Sequence, residues 1–270
     1  MNGSRDWICT TNLFTVKRNK LMLKWIQKNL MKVKPKIYVA MPCYGDMKVE
    51  TCVSLMDTFS TLGKNGIECK FKSVKSSLVT HGRNLLTAGF LNSGFDYMLF
   101  VDADVEFQPE AVLRMLVPEK DIICTPYRNK EDPWISRYSV KFEDKDNIKI
   151  LEWDLVEIEE GPAGLMLIHR RVFEKLMKKY SNLKINFNED TRKKMNKEIG
   201  ASEDAIDEYM YNFWDTSFKD HEWKGEDLSF CNLSTAAGFK IYANLDSWTT
   251  HHGPYGWKGR FGDYLVNKKA

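Results

Sequence analysis

Residues 97–107 read YMLFVDADVEF, and this stretch decides the fold class. Tyr97–Val101 is a run of large apolar residues, which is the pattern of a strand buried on both faces. Asp102 and Asp104 follow it directly, so the strand delivers two carboxylates at its carboxyl end. In an open parallel sheet ligands bind at that end, where carboxylates can hold Mg²⁺ or Mn²⁺ and so neutralise a diphosphate. We therefore expect a metal site here; the alternative is an exposed turn that caps the next helix.

Strands and helices alternate on both sides of this stretch. Upstream, the pattern predicts strand Lys36–Pro42, helix Glu50–Leu62, strand Cys69–Val74 and helix Arg83–Leu91. Downstream, it predicts helix Pro109–Leu116, strands Asp121–Thr125 and Gly164–Ile168, helices Arg171–Tyr180 and Leu228–Ala237, and strand Lys240–Leu245. This alternation is typical of an α/β fold with a mostly parallel central sheet flanked by helices.

The second half of the chain also contains less regular segments. Tyr138–Phe142 and Trp153–Ile158 have the pattern of strands, and we expect them to form a small antiparallel piece. Residues 181–224 are polar, charged and rich in aromatics without a clear period. Such a stretch inside a compact domain is usually a functional loop region.

The first 35 residues differ from the rest in charge. Residues 1–36 hold nine Lys or Arg and one acidic residue, a balance of +8, and the remaining 31 basic and 36 acidic residues give −5. Two rows of residues repeat there at every fourth position, a basic row (Lys20, Lys24, Lys28, Lys32) and an apolar row (Met22, Ile26, Leu30). At about 100° per residue the two rows lie on opposite faces of one helix. We expect a basic amphipathic helix over residues 1–35 that packs on the domain or makes peripheral membrane contact through residues 17–34.

Composition excludes several classes of protein. With 270 residues, 43% of them apolar and 13% aromatic, the chain can bury a large core and is not disordered. Its 40 Lys and Arg against 37 Asp and Glu give a net charge of +3, too mild to indicate a nucleic-acid partner. No apolar stretch approaches the roughly 18 residues that span a bilayer, and no signal peptide is recognised. Six scattered cysteines without a CxxC motif indicate free thiols, so we expect a cytoplasmic protein, membrane-peripheral at most.

Two further motifs precede the central strand. VTHGRNLL places Arg83 at the start of a helix, where it can pair with a phosphate or hold an aspartate of the metal site by a forked hydrogen bond. A surface arginine is the alternative. MPCYGD ends the first strand with Pro42 and Tyr44 beside the expected cleft. Tyr44 is either a stacking partner for a nucleobase or a simple rim residue.

Two motifs follow it. KGEDLSFC opens a helix at Glu226 and Asp227, where a carboxylate can take a proton from a hydroxyl, although acidic residues favour the first turn of any helix. THHGPYGWKG brings histidines and a lysine into one Gly-rich segment. His251 or His252 can complete a metal site and Lys258 can meet a phosphate; a purely structural histidine pair is the alternative.

The order of these motifs resembles that of the GT-A fold glycosyltransferases. A proline-ended strand, an RN helix, an apolar strand into DAD, a Gly-containing strand, an ED helix and a late His-Gly loop follow one another over about residues 36–262. The closest likeness is to small, single-domain, DxD-containing nucleotide-sugar transferases of bacteria and large DNA viruses. It implies one catalytic domain over residues 36–270, with a nucleotide-binding half at 36–130 and an acceptor-binding half at 131–270.

The resemblance also implies site residues. Mn²⁺ or Mg²⁺ would be bound by Asp102, Asp104 and His251, with His252 as the rival of His251. The nucleotide-sugar donor would be contacted by Pro42, Tyr44, Arg83, Asp102, Gly164 and Lys258, with the GPAG loop of residues 161–164 at the junction of sugar and acceptor. Asp227 would be the catalytic base, Glu226 would orient a hydroxyl, and the acceptor side would be lined by Trp214, Asp215 and Trp223.

The implied activity is metal-dependent transfer of a sugar from a nucleotide-sugar, most commonly a UDP-sugar in this fold, to a hydroxyl of a glycan or glycoconjugate. With Asp227 as base, the transfer would invert the anomeric centre. The location would be the cytoplasm, that of the host if the source is a virus. Alternatives are a retaining transferase, a nucleotidyltransferase, whose Gly-rich basic loop MPCYGD lacks, and a non-catalytic binding protein that docks through the basic helix.

Overall fold

The computed structural model describes residues 34–201, 205–219 and 221–269. In chain order its strands are β1 (Lys36–Cys43), β2 (Glu68–Lys75), β3 (Tyr97–Val101), β4 (Val105–Phe107), β5 (Ile122–Cys124), β6 (Leu155–Ile158), β7 (Leu165–His169), β8 (Ser217–Lys219), β9 (Glu222–Lys224), β10 (Ile241–Asn244), β11 (Trp248–His252) and β12 (Gly256–Arg260). Its helices are α1 (Val49–Lys64), α2 (Val79–Ser93), α3 (Pro109–Leu116), α4 (Arg170–Lys179), α5 (Glu189–Ile199), α6 (Ala205–Tyr209), α7 (Glu226–Ala236) and α8 (Phe261–Lys269). Short 3₁₀ turns cover Glu152–Asp154 and Ser181–Leu183.

The central sheet has seven strands in the order β2-β1-β3-β7-β5-β10-β6. β1 is parallel to β2 and β3, and β5 is parallel to β10. β7 runs against both β3 and β5, and β6 runs against β10. β1, β2, β3, β5 and β10 therefore point in one direction, with two strands opposed. The predicted α/β class with a mostly parallel sheet flanked by helices is confirmed.

Each face of the sheet carries its own apolar core. In β1, Tyr38 and Ala40 belong to the core on one face, whereas Ile37, Val39 and Met41 belong to the core on the other. All five are at most 2% exposed. Strands buried on both faces consist of continuous apolar runs, which is why the sequence pattern of this strand could be recognised.

A small antiparallel sheet exists, but it is not formed by the predicted segments. It has the order β12-β11-β4 and joins the Gly-rich tail to the strand after DAD. Tyr138–Phe142 forms no strand and makes isolated bridges, such as that of Lys141 with Glu160. The predicted strand Trp153–Ile158 starts later, at Leu155, because Trp153 and the next residue have left-handed φ angles of 65° and 54°. It then pairs at the edge of the central sheet.

The expected loop over residues 181–224 is wrong in part, since it contains α5, α6 and the β8–β9 hairpin. α5 has clear end signals. The Asn188 side chain accepts a hydrogen bond from the Thr191 backbone N–H at 2.9 Å, and Gly200 closes the helix with a left-handed φ of 64°. Met195 and Ile199 bury the apolar side of this mostly charged helix.

Other sequence-based expectations concern the ends and the thiols. The predicted basic helix of residues 1–35 falls almost wholly outside the described residues, which begin at Lys34. Within the described ranges, no helix combines the length and apolar character needed to cross a bilayer. The cysteines that the structure describes are free thiols: Cys43, Cys52, Cys69, Cys124 and Cys231.

Candidate active site

The carboxyl edge of the parallel strands brings the sequence motifs together. Asp102 follows β3, and its backbone N–H donates to the carbonyl oxygen of Gly164, just before β7, at 2.8 Å. Lys48, in the loop after β1, donates its backbone N–H to the carbonyl oxygen of Ala103 at 2.9 Å. The loop after β1, the DAD turn and the GPAG loop therefore lie side by side.

Arg83 joins the DAD turn to the start of α7. Its Nη2 lies 2.8 Å from Asp102 Oδ1, and its Nε lies 3.1 Å from Glu226 Oε1. The arginine side chain is 3% exposed, and its guanidinium carbon lies 4.9 Å and 5.5 Å from the ring centres of Phe100 and Trp214. Burial alone would lower the pKa of Arg83, but the neighbouring carboxylates outweigh it and raise the pKa. The expected contact of Arg83 with an aspartate is therefore present, and its contact with a phosphate stays a prediction.

Trp214 packs beneath this cluster and does not line a surface. It is 0% exposed, its ring centre is 4.1 Å from that of Phe230, and its Nε1 donates to Thr87 Oγ1 at 3.0 Å. The expectation that Trp214 contacts an acceptor is wrong, because the indole belongs to the core that supports Arg83. By contrast, Trp223 is 70% exposed in β9, and Asp215 is also exposed.

Both carboxylate oxygens of Asp102 are bonded to protein. Oδ1 binds Arg83, and Oδ2 accepts a hydrogen bond from the Tyr127 hydroxyl at 3.3 Å. Burial raises the pKa of Tyr127, and the Asp102 charge adds to this, so the phenol stays protonated and can donate. A Cβ atom on Gly164 would overlap Asp102 Oδ2 and the Tyr127 hydroxyl, and Gly161 has similarly little room. Gly164 therefore has no room for a side chain, because Asp102 and Tyr127 lie against it.

We expect Gly164→Ala to destabilise the protein by about 1–3 kcal/mol, since Asp102 and Tyr127 must move to admit the methyl group. Chemical denaturation followed by circular dichroism measures the change. Gly63→Ala in α1 is the matched control, because a Cβ there meets no atom within 4 Å and alanine favours the helix. Equal stability of the two variants would contradict this packing.

Asp104 faces two cationic or ligating side chains. His251 Nε2 lies 3.5 Å from its Oδ1, and the Lys130 ammonium pairs with its Oδ2. His251 Nδ1 lies 2.9 Å from the carbonyl oxygen of Arg128. Because a carbonyl only accepts, Nδ1 carries the proton. Nε2 therefore donates to Asp104 when the ring is charged, and it offers its lone pair to a cation when the ring is neutral. Burial alone would raise the pKa of Asp104, but His251 and Lys130 outweigh it and lower the pKa to about 2.

The three predicted metal ligands do not form one set. Across residues 34–201, 205–219 and 221–269, no three His, Cys, Asp or Glu side chains form a group that could hold a metal ion. Asp102 uses both of its oxygens for protein donors in this structure, and its role as a metal ligand stays a prediction. Asp104 and His251 keep the chemistry of a two-ligand site, a carboxylate and an imidazole whose far nitrogen donates to a backbone carbonyl. Mg²⁺ is usually bound by only one or two carboxylates, with phosphate and water oxygens as the other ligands.

His251 and His252 lie on opposite faces of the small antiparallel sheet, since successive strand residues alternate. His252 Nε2 lies 2.9 Å from Glu106 Oε2. Lys258 shares the face of His252, and its ammonium lies 5.7 Å from the ring centre of Trp248. The structure thus places the side chain of His251, and not that of His252, against Asp104, and Lys258 lies on the other face.

Asp227 has a perturbed carboxyl group in the first turn of α7. Its Oδ1 accepts a hydrogen bond from the Leu228 backbone N–H at 2.8 Å, while Glu226, 15% exposed, binds Arg83. Burial, and next the Glu226 charge, raise the pKa of Asp227 to about 6, although Arg83 acts in the opposite direction. A carboxyl group with such a pKa is suited to proton transfer near neutral pH.

The nucleotide-side residues predicted from MPCYGD have different surroundings. Pro42 is buried within β1, whereas Tyr44 is 80% exposed just beyond the end of that strand. Sequence reasoning missed Tyr127 and Lys130. Both follow the carboxyl end of β5, and that position is the signal that would have found them.

Comparisons with known proteins give distant likenesses. No family model matches the chain, and no curated protein matches it. Among solved structures 35 chains match, one being A197 from STIV, with 20% identity, a TM-score of 0.45, and 81% of this chain and 86% of that chain covered. GalNAc-T7 with UDP, GalNAc and Mn²⁺ has 9% identity and a TM-score of 0.42, covering 82% and 44%. The 4-diphosphocytidyl-2C-methyl-D-erythritol synthase from Anaerococcus prevotii DSM 20548 has 11% identity and a TM-score of 0.30, covering 75% and 96%.

Proposed function

We propose that this protein is a metal-dependent glycosyltransferase that moves a sugar from a nucleotide-sugar to a hydroxyl of a glycan or glycoconjugate, with inversion. The observation that carries the proposal is the bridge made by Arg83. One buried guanidinium binds Asp102 of the DAD motif and Glu226 of the ED motif, which are far apart in sequence. This brings the donor-side carboxylate Asp102 and, next to Glu226 in the chain, the proposed base Asp227 to the same edge of the sheet, where α/β proteins bind ligands.

We further propose that residues 36–270 act as one catalytic domain, with residues 36–130 on the nucleotide side and 131–270 on the acceptor side. This is supported by the central sheet, in which β7 of the second range lies between β3 and β5 of the first, and β10 of the second range pairs with β5. Peripheral membrane contact through residues 17–34, and a cytoplasmic location, stay predictions.

On the donor side, Asp104 and His251 would hold Mn²⁺ or Mg²⁺ together with the donor diphosphate. When bound, the cation would stabilise negative charge on the leaving diphosphate. Asp102, fixed by Arg83 and Tyr127, would accept a hydrogen bond from a ribose or sugar hydroxyl. UDP is the nucleotide proposed, with its base near the exposed Tyr44 and its sugar against the GPAG loop.

On the acceptor side, Asp227 would take the proton from the attacking hydroxyl. A bond forms between the acceptor oxygen and the anomeric carbon while the bond to the diphosphate oxygen breaks, so the nucleoside diphosphate leaves with the electron pair. Glu226, held by Arg83, would fix the direction of this hydroxyl. The β8–β9 hairpin precedes α7 and exposes Phe218 and Trp223, whose rings would offer flat faces to acceptor sugars.

A thermal-unfolding panel tests the proposal. UDP, GDP, their sugar conjugates and nucleoside triphosphates are added to the protein with and without Mn²⁺, and Tm is recorded. We expect Tm to rise by several degrees only when Mn²⁺ and a matching nucleotide are both present. A ligand at about 100 times its Kd increases the free energy of unfolding by about 2.7 kcal/mol. If no nucleotide shifts Tm, the proposal is overturned. A shift with nucleoside triphosphates alone would favour nucleotidyl transfer.

A further inference from the structure

The segment after β5 holds Lys130 in place beside the DAD turn. Arg128 anchors this segment, because its guanidinium donates to the carbonyl oxygens of Pro133 and Ile135 at 2.9 Å each. The Lys130 ammonium then reaches Asp104 Oδ2 and pairs with it. The contact therefore comes from an anchored segment and not from a free surface side chain.

The stem of Lys130 packs on the turn of the β11–β12 hairpin. A Cβ atom on Gly253 would lie 3.5 Å from Lys130 Cδ and 3.0 Å from Trp257 Cζ3, so the missing side chain leaves room for the lysine. Trp257 Nε1 donates to the carbonyl oxygen of Glu131 at 2.7 Å and ties the same two segments together. The side chain of Lys130 is 33% exposed, so it is partly open to solvent.

Lys130 and a divalent cation compete for the same carboxylate. Asp104 has one oxygen beside Lys130 and the other beside His251. A cation bound between Asp104 and His251 would repel an ammonium held a few ångströms away. A diphosphate bound to that cation would supply the nearest new negative charge, and a short swing of the lysine end would reach it.

We propose that Lys130 couples the binding of the cation to the binding of the donor diphosphate. It pairs with Asp104 in the cation-free protein and moves to the diphosphate when a divalent cation binds. The inference rests on the proposed function and gives Lys130 the phosphate contact that the sequence had suggested for Lys258.

The coupling is measured by removing the ammonium. We expect Lys130→Met to bind Mn²⁺ alone about three- to fivefold more tightly than wild type, because an exposed ion pair no longer opposes the cation. We expect the variant to bind UDP about tenfold more weakly in saturating Mn²⁺, because a charge-assisted phosphate contact is lost. The factor by which UDP increases Mn²⁺ affinity should therefore fall about tenfold.

Free Mn²⁺ is followed by its electron paramagnetic resonance signal during titration, with and without UDP, and with GDP in a parallel series. Lys240→Met is the matched control, since Lys240 forms an exposed pair with Glu157 at 2.9 Å on the far strands of the sheet. Lys130→Arg should keep much of the coupling that Lys130→Met loses, because arginine retains the positive charge.

The outcomes separate the two proposals. Unchanged Mn²⁺ affinity and unchanged coupling in Lys130→Met, with normal circular dichroism, would overturn the role of Lys130 and leave the proposed function standing. Weaker Mn²⁺ binding by Lys130→Met would also overturn it. If the wild type binds no Mn²⁺ with either nucleotide, the proposed function fails and this inference fails with it.

Discussion

Asp104→Asn is expected to lower metal-dependent turnover of the nucleotide-sugar by about 10²–10³-fold, the size of effect seen when one strong transition-state contact is removed. The change keeps the shape of the side chain but removes the charge. Asp104 is the carboxylate that His251 and Lys130 both face, and its low pKa of about 2 keeps it ionised at any working pH. Initial rates of nucleoside diphosphate release at saturating Mn²⁺ measure the loss.

The neighbouring acid–histidine pair supplies a matched control for this variant. Glu106 lies 2.9 Å from His252 on the opposite face of the small antiparallel sheet. Glu106→Gln should therefore keep activity within about twofold, as surface ion pairs contribute little. Equal losses in Glu106→Gln and Asp104→Asn would contradict the assignment of the cation to the face of His251.

Asp227→Asn is expected to lower kcat by about 10²–10⁴-fold, because the asparagine cannot take the proton of the acceptor hydroxyl. The pH dependence gives a second signature. A raised pKa of about 6 means that Asp227 is protonated and inactive at lower pH, so kcat/KM of the wild type should rise tenfold per pH unit below about 6 and level off above it. Asp104 cannot cause this limb, because its pKa lies near 2.

Rates across pH 4.5–8 in constant ionic strength check this profile. Asp57→Asn, an exposed change on α1, is the control and should reproduce the wild-type curve. The residual activity of Asp227→Asn should show no rise near pH 6. Activity close to wild type, or an unchanged acid limb in the variant, would remove Asp227 as the base.

The central strands could be predicted because burial on both faces leaves an unbroken apolar run, as in Tyr97–Val101 and in Ile37–Met41 within β1. The charged helix Glu189–Ile199 was missed because its buried side is narrow. The pairing of Val105–Phe107 with the tail was also missed, since no local pattern tells which distant segment will cover a short strand.

The candidate site was predictable where residue type and chain position agree. Asp104 after a buried strand and Asp227 at a helix start are such cases. The sheet face on which the Lys258 side chain lies is set by the register of the β11–β12 hairpin. The sequence pattern had not revealed these strands, so the face of Lys258 could not be predicted. Trp214 shows that an aromatic residue near a site is as suited to supporting an arginine as to binding a ligand.

Lys130 was overlooked for a related reason. It lies in the polar run NKED, which is typical of a solvated loop, and its partner is distant in sequence. Arg83 had two possible roles on local grounds, and its contacts with Asp102 and Glu226 depend on segments that are distant in sequence.

The bond of the nucleotide-sugar that breaks shows directly whether the protein transfers a glycosyl group or a nucleotidyl group. The protein is incubated with Mg²⁺ and the nucleotide-sugar that raises Tm most, with water as the acceptor of the sugar, and the products are followed by ³¹P nuclear magnetic resonance. A glycosyltransferase cleaves between the anomeric carbon and the diphosphate, so we expect the two phosphorus signals of a nucleoside diphosphate, which should form far more slowly with Asp104→Asn. A nucleoside monophosphate together with a sugar 1-phosphate, or no turnover of any donor, would contradict it.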